Sequence, residues 1–424
     1  MAFNISHFGI SQDELPSGWS TDRLDSLALF NPEQINSGYP HSQIAYLDIS
    51  NVGQGVVGEA NSLPLSSAPS RAKRIVRAHD SILSTVRPGN RAYAFLREAP
   101  ENLVVSTGFA VLRARPQKAD PRFVYYLATS NPIINYLASI AEEKTAYPSV
   151  NPNDIAECIV PIPPLPEQRS ITCILGTLDD KIELNRQMNE TLEAVARALF
   201  KSWFVAFDPV RAKAAGRDPG LPKHIADLFP DSFEDSEMGE IPKGWEIKKL
   251  GQLLELAYGK ALKADSRQQG TVPVYGSNGQ VGWHNEKLVN GPGIVVGRKG
   301  NPGIVTWSPT DFFPIDTTFY VVPKNDCSSL HFIFYALQTQ DLASLGADSA
   351  VPGLNRNLAY MSAQVVPPPP ILEKFDQHVR GYFELIHQNH EESSTLADLR
   401  DALLPKLISG EIRISRISKR FSHG

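Results

Sequence analysis

The chain has 424 residues, of which 42% are hydrophobic and 21% charged, and a formal net charge of −5. This length exceeds one ordinary core and this composition belongs to soluble globular proteins, which excludes a disordered chain and predicts two or more domains. The start, MAFNISHFGISQDELP, places no basic stretch ahead of an apolar run, so no secretory signal is expected. No apolar segment approaches the roughly 18 residues of a membrane span. Cys158, Cys173 and Cys327 are scattered without disulfide or zinc spacing and read as reduced thiols of a cytoplasmic protein.

Taken in chain order, the elements come twice. LPSGWSTDRL at residues 15–24 returns as IPKGWEIKKL at residues 241–250, a Pro-x-Gly-Trp turn leading into an apolar run in each case. DSILSTVRPGNRAYAF from Asp80 is matched by PGIVVGRKGNPGIVTW from Pro292. Both join a β-branched strand to a basic glycine-containing loop, Arg87-Pro88-Gly89-Asn90 and Arg298-Lys299-Gly300-Asn301. TGFAVLRA from Thr107 then matches TTFYVVPK from Thr317, and RFVYYL from Arg122 matches HFIFYAL from His331. YPSVNPND from Tyr147 echoes VPGLNRN from Val351, and proline-rich exits, VPIPPLPEQ from Val160 and VPPPPILEK from Val366, close each half. The order is preserved throughout, so the chain is read as an internal duplication.

A long heptad helix is predicted after each exit. The first carries Ile171, Leu178, Asn185, Leu192 and Leu199 with Leu175, Ile182, Asn189, Ala196 and Trp203. The second carries Phe375, Tyr382, Asn389, Leu396 and Leu403 with Val379, Ile386, Ser393, Arg400 and Leu407. The two registers align without a gap, and Asn185 and Asn389 hold the same seam position, where a polar residue fixes register at a cost in stability. An antiparallel pair with the polar positions meeting is the simplest arrangement, and two unrelated amphipathic helices are the alternative. Residues 208–240, rich in Pro, Gly and acid, read as an exposed connection, and residues 415–424 as a mobile tail.

The overall charge is awkward for a nucleic-acid binder, but the basic residues are clustered. Residues 71–122 hold Arg71, Lys73, Arg74, Arg77, Arg87, Arg91, Arg97, Arg113, Arg115, Lys118 and Arg122 against Asp80, Glu98, Glu101 and Asp120. Residues 243–299 form a second basic stretch that includes Lys260, Lys263, Arg298 and Lys299. Such patches suit local phosphate contact, and equally suit ordinary surface charge. Arg91, Tyr93, Phe95 and Arg97 alternate, which puts them on one strand face as a nucleic-acid surface, or leaves the aromatics in the core. Tyr275, Ser277 and Asn278 lie in a glycine turn fit either for groove approach, with Asn90 and Asn301 as further amide candidates, or for a plain hairpin.

Catalytic signatures are missing: no dinucleotide or phosphate-loop glycine motif, no HExxH, no paired CxxC and no Asn-Pro-Pro-Tyr-type tetrapeptide. His387 and His390, and likewise Asp179 and Asp180, read as solvated helix charge.

The run from VPIPPLPEQRSI through LGTLDDKIELNRQMNETLEAVARALFKSWFVAFDPVRAKAAG resembles the central conserved region of Type I restriction–modification specificity subunits, and LRDALLPKLISGEI resembles their second conserved region. The Pro-x-Gly-Trp entries, the Gly-Arg-Lys-Gly loop and the Tyr-Gly-Ser-Asn-Gly turn resemble parts of their target recognition domains. The resemblance implies an α+β fold: two mixed α/β target recognition domains, separated by two long helices packed as an antiparallel coiled coil in a pseudo-twofold repeat. The expected boundaries are 1–165 and 241–370 for those domains, 166–207 and 371–414 for the helical regions, and 208–240 for the connection.

The resemblance also implies a non-catalytic, sequence-specific subunit. Each domain would read one half of a bipartite, asymmetric site on double-stranded DNA. A helix of about 35 residues, roughly 50 Å long, would serve as a ruler against a duplex turn of about 34 Å. The helices would dock two methyltransferase subunits, with Phe200, Trp203 and Phe204, facing Leu404 and Leu407, as candidate partner-binding residues. S-adenosylmethionine, ATP and magnesium would belong to those methyltransferases and to restriction/translocase subunits, and this chain would hold no cofactor or metal. A scaffold that organises partners without touching DNA is the competing reading.

Overall fold

The computed structural model describes residues 3–143, 148–324, 327, 329–346 and 353–414. The expected tail, and the Tyr147 and Val351 ends of the fifth sequence match, lie outside the described residues. The chain divides into two compact units, Met1–Glu183 with Ser393–Gly424, and Leu184–Glu392. No helix among the described residues is long and apolar enough to cross a membrane.

In each unit the repeated sequence begins at a Pro-x-Gly-Trp turn. Gly18 and Gly244 take φ values of 86° and 79°, a left-handed conformation that only glycine adopts cheaply. The turns close through Trp19 N–H to Pro16 O at 2.9 Å and Trp245 N–H to Pro242 O at 3.0 Å, and both indoles are buried. The strand after each turn pairs antiparallel with the strand before the proline-rich exit: Ser20–Arg23 with Ile159–Ile162, and Glu246–Lys249 with Ala363–Val366.

The main sheets repeat strand for strand. In the first unit the order is Ala28–Phe30, Phe109–Ala114, Ser81–Ser84, Tyr93–Phe95. In the second it is Leu254–Tyr258, Thr318–Pro323, Gly293–Gly297, Val305–Ser308. The match of Phe109 with Phe319 holds in register, since they face Ser84 and Val296. On the return strand the register slips by one: Leu83 faces Tyr93, whereas Val295 faces Thr306. The second unit's loop is therefore one residue longer than a gapless alignment implies.

A second sheet in each unit contains a parallel pair, Gln43–Leu47 with Leu103–Ser106 and Val272–Gly276 with Phe313–Pro314. Helices Pro121–Ala128 and Leu330–Thr339, the matched RFVYYL and HFIFYAL segments, pack their aromatic side chains into the two cores.

Two long helices, Leu165–Phe204 and Pro369–Ser409, each contribute to both units. In the first unit Ile171 and Leu175 share the core with Leu407 and Ile408, and Asp179 meets Arg400 at 2.8 Å. In the second, Asn185 donates to the Asn389 carbonyl at 3.4 Å and to Glu392 at 2.8 Å, while the Asn389 amide donates to Asn189 Oδ1 at 2.8 Å. Residue numbers rise on one helix as they fall on the other, so each pair is antiparallel. The asparagines meet in the seam as the heptads predict, and Asn189 joins them.

Two expectations fail because apolar side chains that read as exposed are buried in the second unit's core. Residues 208–240 are no exposed connection, because Val210, Ile225 and Phe229 lie in the second unit's core and Phe233–Ser236 pairs with Gly239–Pro242. Phe200, Trp203 and Phe204 are 1%, 1% and 2% exposed, which removes them as partner-binding surface. They pack on Phe375, Phe332, Phe229 and Trp245, whereas Leu404 and Leu407 belong to the first unit's core. Trp203→Ala is expected to cost about 3–5 kcal/mol through cavity formation, read as a lower denaturation midpoint in urea.

Candidate nucleic-acid interface

In the second unit three segments converge at one end of the main sheet. The strand Val272–Gly276 turns into Gly279–His284, and the turn is latched down. The Ser277 hydroxyl lies 2.5 Å from the Lys299 carbonyl and 2.8 Å from that of Thr317. Beside it the Asn301 amide donates to Asn278 Oδ1 at 2.5 Å. Four sequence candidates, Ser277, Asn278, Lys299 and Asn301, thus form one surface, with all but Ser277 exposed.

Arg298 completes it. Its backbone N–H donates to Thr317 O at 2.9 Å, its Nη1 to Asp316 O at 3.1 Å, and its guanidinium lies 4.7 Å from the Tyr258 ring centroid. Arg356 lies over the same ring at 4.9 Å. Tyr258 is 49% exposed and ends the strand Leu254–Tyr258, with exposed Lys260 two residues on. Neither Tyr258 nor Arg356 was among the sequence candidates. A basic residue 98 positions from the strand it caps leaves no local pattern, although an exposed tyrosine ahead of Gly259-Lys260 is a usable signal.

No carboxylate pairs with Lys260, Arg298, Lys299 or Arg356 among the described residues. Cation–π contact holds each guanidinium in place without neutralising it. Two cations on one exposed ring repel each other, and an anion between or beside them relieves that repulsion. Lys263 is also exposed, on the loop that follows Lys260.

Tyr275 is not part of this surface. It is 6% exposed, packed edge-on to Phe312 at 6.0 Å, and burial raises the pKa of its hydroxyl. Tyr275 lies within the strand Val272–Gly276 and packs into the core, whereas Ser277 and Asn278 lie beyond its end, in the turn.

The first unit handles its arginines differently. Arg71 pairs with Asp48 and hydrogen-bonds the Tyr46 hydroxyl at 3.2 Å. Arg77 pairs with Glu33 at 2.8 Å, and Arg113 with both Glu33 and Asp80. Arg97 and Arg122 share Asp180. Burial disfavours the Asp180 carboxylate, but hydrogen bonds from Arg122 and Arg97 outweigh it and hold the pKa below the usual range. Asp179 binds Arg400 at 2.8 Å and the Tyr126 hydroxyl at 2.5 Å, so this acidic pair serves internal links and is not solvated helix charge.

Arg74 is half-buried against Asn31, and burial lowers its pKa. Tyr93 is 6% exposed in the core and engages Arg91, so the aromatic face expected along Arg91–Arg97 points inward. Among the first unit's candidates, Lys73, Arg87 and Asn90 remain exposed without a carboxylate partner in the described residues.

Residues 50–194 and 242–391 match the Type I restriction modification DNA specificity domain. The chain belongs to this family. Each matched segment runs from a globular part into a long helix, so the family's repeat is the repeat seen in this specificity subunit. The Type I restriction enzyme HindI specificity subunit of Haemophilus influenzae is 28% identical over 459 residues, 92% of this chain and 96% of that protein. The MjaIX specificity subunit of Methanocaldococcus jannaschii is 27% identical over 326 residues, 70% of each chain. The solved S subunit of a Type I restriction-modification system from M. genitalium shares the fold, with a TM-score of 0.56 at 17% identity over 94% of this chain and 98% of that one.

Among the described residues no His, Cys, Asp and Glu side chains gather as a metal site. Ser277→Ala removes the latch of the hairpin tip. The expected cost is about 1 kcal/mol, with faster amide hydrogen exchange at residues 276–279 and little change elsewhere in the second unit.

Proposed function

We propose that this chain is the DNA-reading subunit of a Type I restriction–modification complex, with one unit for each half of a bipartite, asymmetric site. The observation that carries the reading is the uncompensated cationic surface of Lys260, Arg298, Lys299 and Arg356 around the exposed Tyr258 ring. Guanidinium and amide groups on a rigid loop can reach base edges in a groove, and lysines beside them neutralise phosphate. The first unit offers Lys73, Arg87 and Asn90 on a different arrangement, which suits two unlike half-sites.

Recognition is the whole of this chain's part in the reaction. Adenine methylation with S-adenosylmethionine, and ATP- and magnesium-dependent restriction, belong to partner subunits. The docking surface for two methyltransferase subunits moves from the buried Phe200–Phe204 cluster to exposed apolar side chains on the helices. Leu184, Met188, Val195 and Leu385 stand exposed in the second unit and Leu399 in the first, between 37% and 52% accessible.

Arg298→Ala in the assembled complex is expected to weaken cognate DNA binding by about 1–3 kcal/mol and to relax one half-site. Wild-type affinity should fall steeply as salt rises, because phosphate contacts release counterions. Methylome sequencing of a host carrying the partner methyltransferase, with and without this chain, gives the direct test. A bipartite motif that vanishes with the chain is the expected result. An assembled, active complex with salt-insensitive or absent DNA binding would leave only the scaffold role.

A further inference from the structure

The loops that follow strands Ser81–Ser84 and Gly293–Gly297 start from equivalent points, since Leu83 faces Ala110 as Val295 faces Tyr320. Each loop bends through two left-handed residues. In the second unit both are glycines, Gly300 at φ 81° and Gly303 at φ 84°. In the first unit both are arginines, Arg87 at φ 45° and Arg91 at φ 57°. A side chain resists this conformation, and arginine lacks the short polar group that lets Asn or Asp tolerate it. The first loop does contain a glycine, Gly89, but places it inside the Pro88–Asn90 turn, where its φ is not positive. Glycine sits where it is not needed, and arginine where glycine would relax the chain.

Strain retained at a defined position points to a use for the side chain. Arg91 has an internal use: it engages the Tyr93 hydroxyl and lines a small cavity of about 80 Å³ with Tyr125 and Asp401. Arg87 has none. It is exposed and makes no side-chain hydrogen bond, ion pair or ring contact among the described residues, yet its backbone is pinned on both sides. Its N–H donates to Pro148 O at 2.9 Å and its carbonyl accepts from Asn90 N–H at 2.9 Å.

We propose that Arg87 is the specificity-determining arginine of the first unit, presenting its guanidinium fork to the O6/N7 edge of a guanine. The proposal rests on the DNA-reading function above. A phosphate needs only a positive charge, which the exposed Lys73 supplies without a left-handed backbone. A bidentate base contact needs a fixed origin and direction, and the pinned left-handed backbone provides both. The other arginines nearby are spent internally, on Asp48, Glu33, Asp80 and Asp180.

The test uses the assembled complex carrying the wild-type chain, Arg87→Gly or Arg87→Lys, with three readouts: thermal melting, affinity for the cognate site and the methylated motif. Arg87→Gly should melt no lower than wild type, bind cognate DNA about tenfold or more weaker, and lose guanine preference at one position of one half-site. Arg87→Lys keeps the charge without the fork and should show the same loss of preference. Wild-type behaviour of Arg87→Lys would mark a phosphate contact and overturn the proposal. An unchanged motif in Arg87→Gly would overturn it too, as would lower melting with both half-sites weakened alike. A wild-type complex with no sequence preference would instead remove the underlying DNA-reading function.

Discussion

Neither globular unit closes its core without the long helices. The first unit's core takes Ile171 and Leu175 from one helix and Leu407 and Ile408 from the other, more than 200 residues away in sequence. The second takes Ala196, Phe200, Trp203 and Phe204 together with Ile371, Phe375 and Val379. Burying such side chains is worth roughly 1.5–3 kcal/mol each, so antiparallel helix pairing and domain folding are one event within each unit. The asparagines add direction to that pairing. Asn185, Asn189 and Asn389 are buried, and the bonds from Asn185 to the Asn389 carbonyl and from the Asn389 amide to Asn189 Oδ1 form only in one register, so any slip would break them inside an apolar seam.

That dependence explains why the aromatic residues misled where the heptads did not. A heptad reports which helix face is covered, and Asn185 and Asn389 met as their spacing required. It does not report what covers the face at its ends. Phe200, Trp203 and Phe204 look like a sticky surface in sequence because their partners, Phe332, Phe229 and Trp245, come from segments with no heptad of their own. Tyr93 and Tyr275 show the same limit in strands. Period-two alternation separates two faces without saying which is wet, and the polar Ser277 and Asn278 stand in the turn beyond the strand, outside that alternation.

Charge was legible as composition and illegible as function. The eleven basic residues between positions 71 and 122 form a basic stretch only until Glu33, Asp48 and Asp180 arrive from outside it. Those partners lie up to 83 residues away, at a distance that only the fold sets. In the second unit the same reasoning runs the other way. Arg356 comes 58 residues after Arg298 and joins it on Tyr258, concentrating charge that the sequence spreads out. Long-range pairing therefore decides which cations stay available for a polyanion, and net charge does not.

The duplication supplies its own control. Strand order, the glycine of each entry turn, the parallel pair in the second sheet and the helix seam are common to both halves, so they answer to the fold. What differs sits on the loops at the ends of equivalent strands: a tight latched hairpin and glycine-hinged Arg-Lys loop in one unit, and arginines holding left-handed backbone in the other. A stability requirement acting on both copies would have converged on glycine at those hinges, as it did in the entry turns. The copies instead diverged where the backbone cost is highest. That is the pattern expected when two scaffolds of one fold are held to two different DNA sequences.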